Sequence, residues 1–147
     1  MQSLAKLKPA FRKNGTTTAG NSSQVSDGAA AVVLARRSWA KQHGLPILAK
    51  FANYAVKGCP PEIMGIGPAV AIPELMAKAG KKISDIDIWE INEAFASQAT
   101  YSVEKLGIDY AKVNPKGGAI ALGHPLGCTG TLILIQELAK SRLFFLS

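Results

Sequence analysis

Gly117-Gly118-Ala119-Ile120-Ala121-Leu122-Gly123-His124-Pro125-Leu126-Gly127-Cys128-Thr129-Gly130 sets one histidine among five glycines, just before an apolar stretch patterned as a helix. Histidine has the unperturbed pKa nearest neutrality of any side chain. Glycine lets the backbone turn at positive φ and lets a ligand approach closely. A histidine on such a loop is a candidate for proton transfer; the structural alternative is a glycine-rich turn with an incidental surface histidine.

The flanking sequence alternates strand and helix signals, which predicts an α/β layered fold. Ala29 to Ala35 is a short continuous apolar run that reads as a buried strand. Arg36 to His43 reads as a helix stopped by Gly44, and Ile47 to Val56 as a second strand. Pro60 and Pro61 break the chain. Pro68 to Ala79 has a helical pattern with Pro68 suited to its first turn. Pro73 conflicts with that pattern and predicts a kink or a late start. Ile86 to Ile91 reads as a third strand, with the next helix beginning at Asn92 or Glu93. Phe95, Ala99, Val103 and Leu106 give that helix an apolar stripe, and Gly107 its stop. Val113-Asn114 is a short extended link, and Leu126 to Lys140 the last helix. Three divisions follow: an irregular segment over 1–28, a domain over 29–140 and a divergent tail over 141–147.

Composition narrows the function. The chain has 147 residues, enough for one domain with a real core, and 48% of them are hydrophobic. No apolar run is long enough to span a bilayer. The net charge of +7 can attract polyanions, including a phosphorylated small molecule. The lysines and arginines are scattered, with no stripe interleaved with aromatics, which argues against nucleic acid. Cys59 and Cys128 make neither a disulfide framework nor a metal-ligand spacing, so no metal is expected and a reducing compartment fits. Residues 1–13 lack the long apolar core of a secretory signal.

Two common glycine-loop readings fail. Gly118 and Gly123 have phosphate-loop spacing, but His124-Pro125 stands where Lys-Ser/Thr is required. No G-x-G-x-x-G follows a strand, so the dinucleotide fingerprint is absent. Cys128 has two readings: a thiol activated at a helix N-terminus with His124 four residues before it, or a small packing residue. Asn92 caps a helix or orients a water or a carbonyl. Thr18 to Ser23 is a surface turn, or a loop of small residues that lets a large ligand lie against the backbone.

Taken together, Thr18-Ala19-Gly20-Asn21-Ser22-Ser23, Ser26-Asp27-Gly28-Ala29-Ala30, Met64-Gly65-Ile66-Gly67-Pro68, Asn92-Glu93-Ala94-Phe95 and Gly117 to Pro125 resemble the C-terminal half of the thiolase family. They stand in the family's order over roughly residues 4–140, and their wording is most similar to the peroxisomal 3-ketoacyl-CoA members. The resemblance implies the C-terminal half of the layered α-β-α-β-α thiolase architecture, with its last strands missing. It implies thiolytic cleavage of 3-ketoacyl-CoA to acetyl-CoA and a shortened acyl-CoA, a reaction of fatty acid β-oxidation. His124 matches the histidine that activates the nucleophilic cysteine, and Asn92 the asparagine that fixes a water in the oxyanion hole. Ala19, Ser22, Ser23, Met64, Ala94 and Phe95 match positions that contact CoA or line the substrate tunnel.

The resemblance further implies CoA and acyl-CoA thioesters as partners, with CoA a substrate rather than a permanently bound cofactor. It implies a dimer for the full-length enzyme and a peroxisomal setting, with mitochondrion or cytoplasm as alternatives. Cys59 and Cys128 match neither of the family's two catalytic cysteines. The expectation is therefore a chain truncated at both ends, carrying two of four catalytic groups and inactive by itself. The alternative is a non-catalytic module that binds CoA or pairs with a thiolase subunit; a Cys128–His124 hydrolase is a third reading.

Overall fold

The computed structural model describes residues 2–138 and 143–146. Its elements run α1 (Arg37–Gln42), β1 (Lys50–Tyr54), α2 (Gly67–Ala79), α3 (Ala96–Leu106), α4 (Ala119–Leu122), α5 (Thr129–Leu138) and β2 (Leu143–Leu146), joined by short 3-10 turns. Among the described residues no helix is long and apolar enough to cross a membrane.

The core forms where α2 and α3 pack on the segment from Ile83 to Ile91. Ile72, Leu75 and Met76 from α2 meet Ala99 and Val103 from α3, with Ile86, Trp89, Ile91 and Ile108 closing the cluster. Ile72, Leu75 and Val103 are each only 1% exposed. Burying each such side chain contributes about 1.5–3 kcal/mol. The helix stripes explain the contact, because residues three and four apart share one helix face. Gly80 and Gly107 end α2 and α3 in the left-handed conformation, with φ of 62° and 65°. That conformation strains a residue bearing a Cβ.

Pro73 causes neither a late start nor a break: α2 runs from Gly67 to Ala79. The proline sits on the exposed face, away from buried Ile72 and Leu75. The helix thus forgoes one hydrogen bond at Ala69 where solvent reaches that face.

The strand expectations fare worse than the helices. Ala29 to Ala35 belongs to no strand, and Val33 and Leu34 are largely exposed. An apolar run becomes a strand only when another backbone pairs with it. Ile86 to Ile91 is reduced to one parallel bridge, Trp89 with Val113. Trp89 donates to the Lys112 carbonyl at 2.8 Å and accepts from the Asn114 N–H at 2.8 Å. Within Ile47 to Val56 the strand is β1, paired in parallel with β2 through Lys50–Leu143, Phe51–Phe144 and Tyr54–Leu146. Part of the expected tail is therefore a strand; Ser141, Arg142 and Ser147 lie outside the described residues.

Two helix starts also shift. α3 begins at Ala96 rather than at Asn92 or Glu93, because residues 94 and 95 are engaged in extended pairing with the Ser22-Ser23 segment. The last helix opens with a 3-10 turn, Leu126–Cys128, and becomes α-helical at Thr129. Ala139 and Lys140, expected to end it, lie outside the described residues.

Candidate active site around His124

Three loops are tied to one another at this site. The first is Thr18 to Ser23, whose small polar residues bond to one another. Thr18 Oγ1 accepts from the Gly20 N–H at 3.2 Å, and Asn21 Oδ1 accepts from the Thr18 N–H at 2.8 Å. Ser22 Oγ donates to the Thr18 carbonyl at 2.7 Å. Gly20 leaves room for Leu4 and Leu7, whose methyl carbons would lie within 2.9 Å of a Cβ there. The loop thus becomes a fixed turn.

That turn is tied to the second loop, Asn92 to Phe95. The Ser23 N–H donates to the Ala94 carbonyl at 2.9 Å, and Ser22 bridges Phe95 antiparallel. Phe95 in turn meets Phe11 edge-to-face at 5.9 Å. Ser22, Ser23, Ala94 and Phe95 are therefore brought together, with Ala19 in the 3-10 turn Ala19–Asn21. Met64 stands apart and is exposed, although its neighbour Gly65 packs against Gln98 of α3. Asn92 is not a helix cap; its side chain is free for the site because α3 starts four residues later.

The third loop carries His124. Gly123 has φ of 99°, and a Cβ there would lie 2.5 Å from Ser26 Oγ. A Cβ on Gly28 would meet the Pro125 ring at 2.8 Å. The Ser26-Asp27-Gly28 turn is thus seated directly on Gly123 and Pro125.

His124 is half-buried between two partners. Its Nδ1 lies 2.7 Å from Thr129 Oγ1, and its Nε2 lies 3.4 Å from Asn92 Nδ2. An amide nitrogen only donates. Nε2 therefore accepts, and the neutral ring carries its proton on Nδ1, donating to Thr129. That tautomer follows from the amide orientation assigned to Asn92. It leaves Nε2 as the basic nitrogen, facing Asn92. Asn92 Oδ1 is buried and without a hydrogen-bond partner among the described residues. Asn92, Gly118, Gly123 and Thr129 line one hollow, floored by Leu132 and Ile133 of α5.

Both ring nitrogens of His124 are accounted for without Cys128. That thiol lies against Gly28, 3.8 Å from the position of a Cβ there, which matches the packing reading and removes support for a Cys128–His124 hydrolase. Among the described residues no cluster of three or more His, Cys, Asp or Glu can hold a metal.

Thr129, Asn114 and Glu93 enter the site without having been singled out from sequence. Thr129 follows His124 by five residues, and only the 3-10 turn between them brings its hydroxyl to Nδ1.

Residues 45–142 match the model of the thiolase C-terminal domain, and residues 1–38 that of the thiolase N-terminal domain. The chain belongs to the thiolase family. It is 68% identical over 143 residues to the peroxisomal 3-ketoacyl-CoA thiolase B of Mus musculus, a match covering 95% of this chain and 34% of that protein. Among solved structures, the dimeric peroxisomal thiolase of Saccharomyces cerevisiae superposes with a TM-score of 0.93 at 58% identity, over 96% of this chain and 36% of that one. Human mitochondrial 3-ketoacyl-CoA thiolase in complex with CoA superposes with a TM-score of 0.86 at 45% identity, over 93% and 35%. The chain spans about a third of the length of these thiolases. It has the thiolase fold over that third, in layers of mixed helix and strand as expected.

Proposed function

We propose that this chain supplies the His124–Asn92 side of the active site of a 3-ketoacyl-CoA thiolase, an acyltransferase of fatty acid β-oxidation. The observation that carries the reading is the pair itself: a histidine oriented through Nδ1 by Thr129, with Nε2 turned to an asparagine amide. A thiolase needs a thiolate nucleophile and donors for the developing oxyanion. His124 Nε2 takes the thiol proton and, once protonated, becomes a donor toward the thioester oxygen. The buried Oδ1 of Asn92 accepts from a water, whose other O–H is aimed at the same oxygen.

The nucleophilic cysteine and the second acid/base cysteine would come from other parts of the complete enzyme. The fixed Thr18–Ser23 turn, with Ala94 and Phe95 behind it, offers backbone and small side chains to the pantetheine arm of CoA. Exposed Met64 would form an outer wall of the same tunnel. CoA is a substrate here, and no permanently bound cofactor is required. The peroxisomal names of the mouse and yeast relatives support a peroxisomal setting, and the dimeric yeast structure a dimer for the complete enzyme.

The test is a chimaera in which residues 2–138 replace the matching segment of the yeast thiolase. It should cleave a 3-ketoacyl-CoA in the presence of CoA. His124→Ala should then lower kcat by about 10²–10⁴-fold, the range for loss of a positioned acid/base. An undiminished rate in that variant would overturn the reading.

A further inference from the structure

We infer that Asn114, together with Glu93, is a positioning residue that sets Asn92 against His124. The inference rests on the reading of those two residues as the working pair.

Asn114 is buried and adopts φ of 45°, a left-handed conformation uncommon outside glycine. Its side chain acts as a substitute strand. Oδ1 accepts from the Ile91 N–H at 2.8 Å, and Nδ2 donates to the Ile91 carbonyl at 2.8 Å. Its backbone N–H donates to the Trp89 carbonyl at 2.8 Å, and its carbonyl accepts from the Gly117 N–H at 2.8 Å. One residue thereby grips both the N–H and the carbonyl of Ile91, the residue preceding Asn92, and begins the loop that carries His124.

Glu93, on the other side of Asn92, completes the clamp. Its Oε1 accepts from Asn114 Nδ2 at 3.3 Å. Its carboxyl lies on the bare face of Gly118, where any Cβ would collide with it and would come within 2.6 Å of Asn114 Nδ2. Asn92 is thus held at both neighbours, Ile91 and Glu93, by a residue 21 to 23 positions away. The contact from Asn92 Nδ2 to His124 Nε2, at 3.4 Å, is long for a hydrogen bond, so a small displacement of Asn92 breaks it.

The chain has two histidines, His43 and His124, and their ring nitrogens can be followed separately by ¹⁵N NMR at alkaline pH, where imidazole is neutral. His43 is exposed at the C-terminal end of α1, with Nδ1 at 2.9 Å from the Trp39 carbonyl, and reports on general integrity. The expected result is a single Nδ1–H tautomer for His124 in the native chain. In Asn114→Ala the His124 ring should sample both tautomers while the His43 signals stay in place. Glu93→Ala should do the same more weakly, and Glu93→Gln, which keeps an accepting oxygen, should restore the native signals. If Asn114→Ala unfolds the chain, the two Glu93 variants decide. Unchanged His124 signals in a folded Asn114→Ala, or in Glu93→Ala where Asn114→Ala does not fold, overturn the inference. Because the readout needs no turnover, it fails or holds independently of the His124→Ala rate test.

Discussion

The region around α2 and α3 and the region from Val25 to Val56 are both rich in apolar residues, yet they use them in opposite ways. In the first, Ile72, Leu75, Val103 and Ile91 turn inward and meet one another. In the second, Val33 is 90% exposed, Val56 79% and Tyr54 61%. The first region is a closed core that can hold a site at fixed distances, as the Asn92–His124 pair requires. The second leaves much of its apolar side-chain surface exposed, and large exposed apolar patches mark interaction faces. In the thiolases it resembles, this chain corresponds to about a third of the polypeptide. Burial is concentrated in the first region and apolar exposure in the second.

The sharpest way to break this contrast is at the site. In the yeast chimaera, His124→Ala should produce the largest change, about 10²–10⁴-fold in kcat. The matching variant Val33→Ser, on the exposed apolar face, should act on assembly and leave kcat of the assembled chimaera near its parent's. Equal losses from both would erase the distinction.

Next in size is the core. Leu75→Ala should destabilise the chain by about 2–5 kcal/mol through lost burial and an incompletely closed cavity. Chemical denaturation measures it. A shift no larger than that of an exposed substitution would mean that α2 and α3 do not form the central packing.

A smaller effect belongs to the open face. The 147-residue chain by itself should self-associate, and Val33→Ser with Leu34→Ser should shift it toward smaller species in size-exclusion chromatography. Those exposed changes should alter folding stability by only about 0.5 kcal/mol or less. Monodisperse monomer before substitution would remove the need for a covered surface.

The smallest effect concerns the seam between the regions. Glu74 on α2 accepts from Lys57 at 2.8 Å and from Lys78 at 2.7 Å. Those lysines hold its carboxyl down to about 2. A lowered folded value means that stability is fully present above the ordinary glutamate value of about 4.3 and is lost as the pH falls toward 2. The pair is solvent-exposed, so the effect is small and salt-sensitive. Glu74→Gln should flatten that acid limb in denaturation curves taken across this window; an unaltered slope would show that the lysines contribute nothing to it.

Helices were legible because their signals are local. The Gly80 and Gly107 stops and the α3 stripe lie within a few residues of what they control. Strands were legible only in part: β1 lies within Ile47 to Val56, but pairing depends on a distant backbone. Ala29 to Ala35 has the composition of a strand but no ladder among the described residues, and Ile86 to Ile91 keeps one bridge. The start of α3 is set by the same kind of distant pairing: Ser22 and Ser23, some seventy residues earlier in sequence, hold Ala94 and Phe95 extended. Asn114 carried no legible signal beyond an extended link, since its role appears only when Ile91 and Glu93 arrive beside it.

By itself the amino-acid sequence determined the family and the apolar stripe of α3, and singled out His124 and Asn92 as candidates. Residue type and short spacing suffice for those. Tertiary structure alone decided that Thr129 rather than Cys128 lies at Nδ1 of His124, that Asn92 lies at Nε2, and that Asn114 ties the residues on either side of Asn92. Each of these depends on hydrogen-bond geometry between side chains on separate loops, and that geometry exists only once the core has brought the loops together.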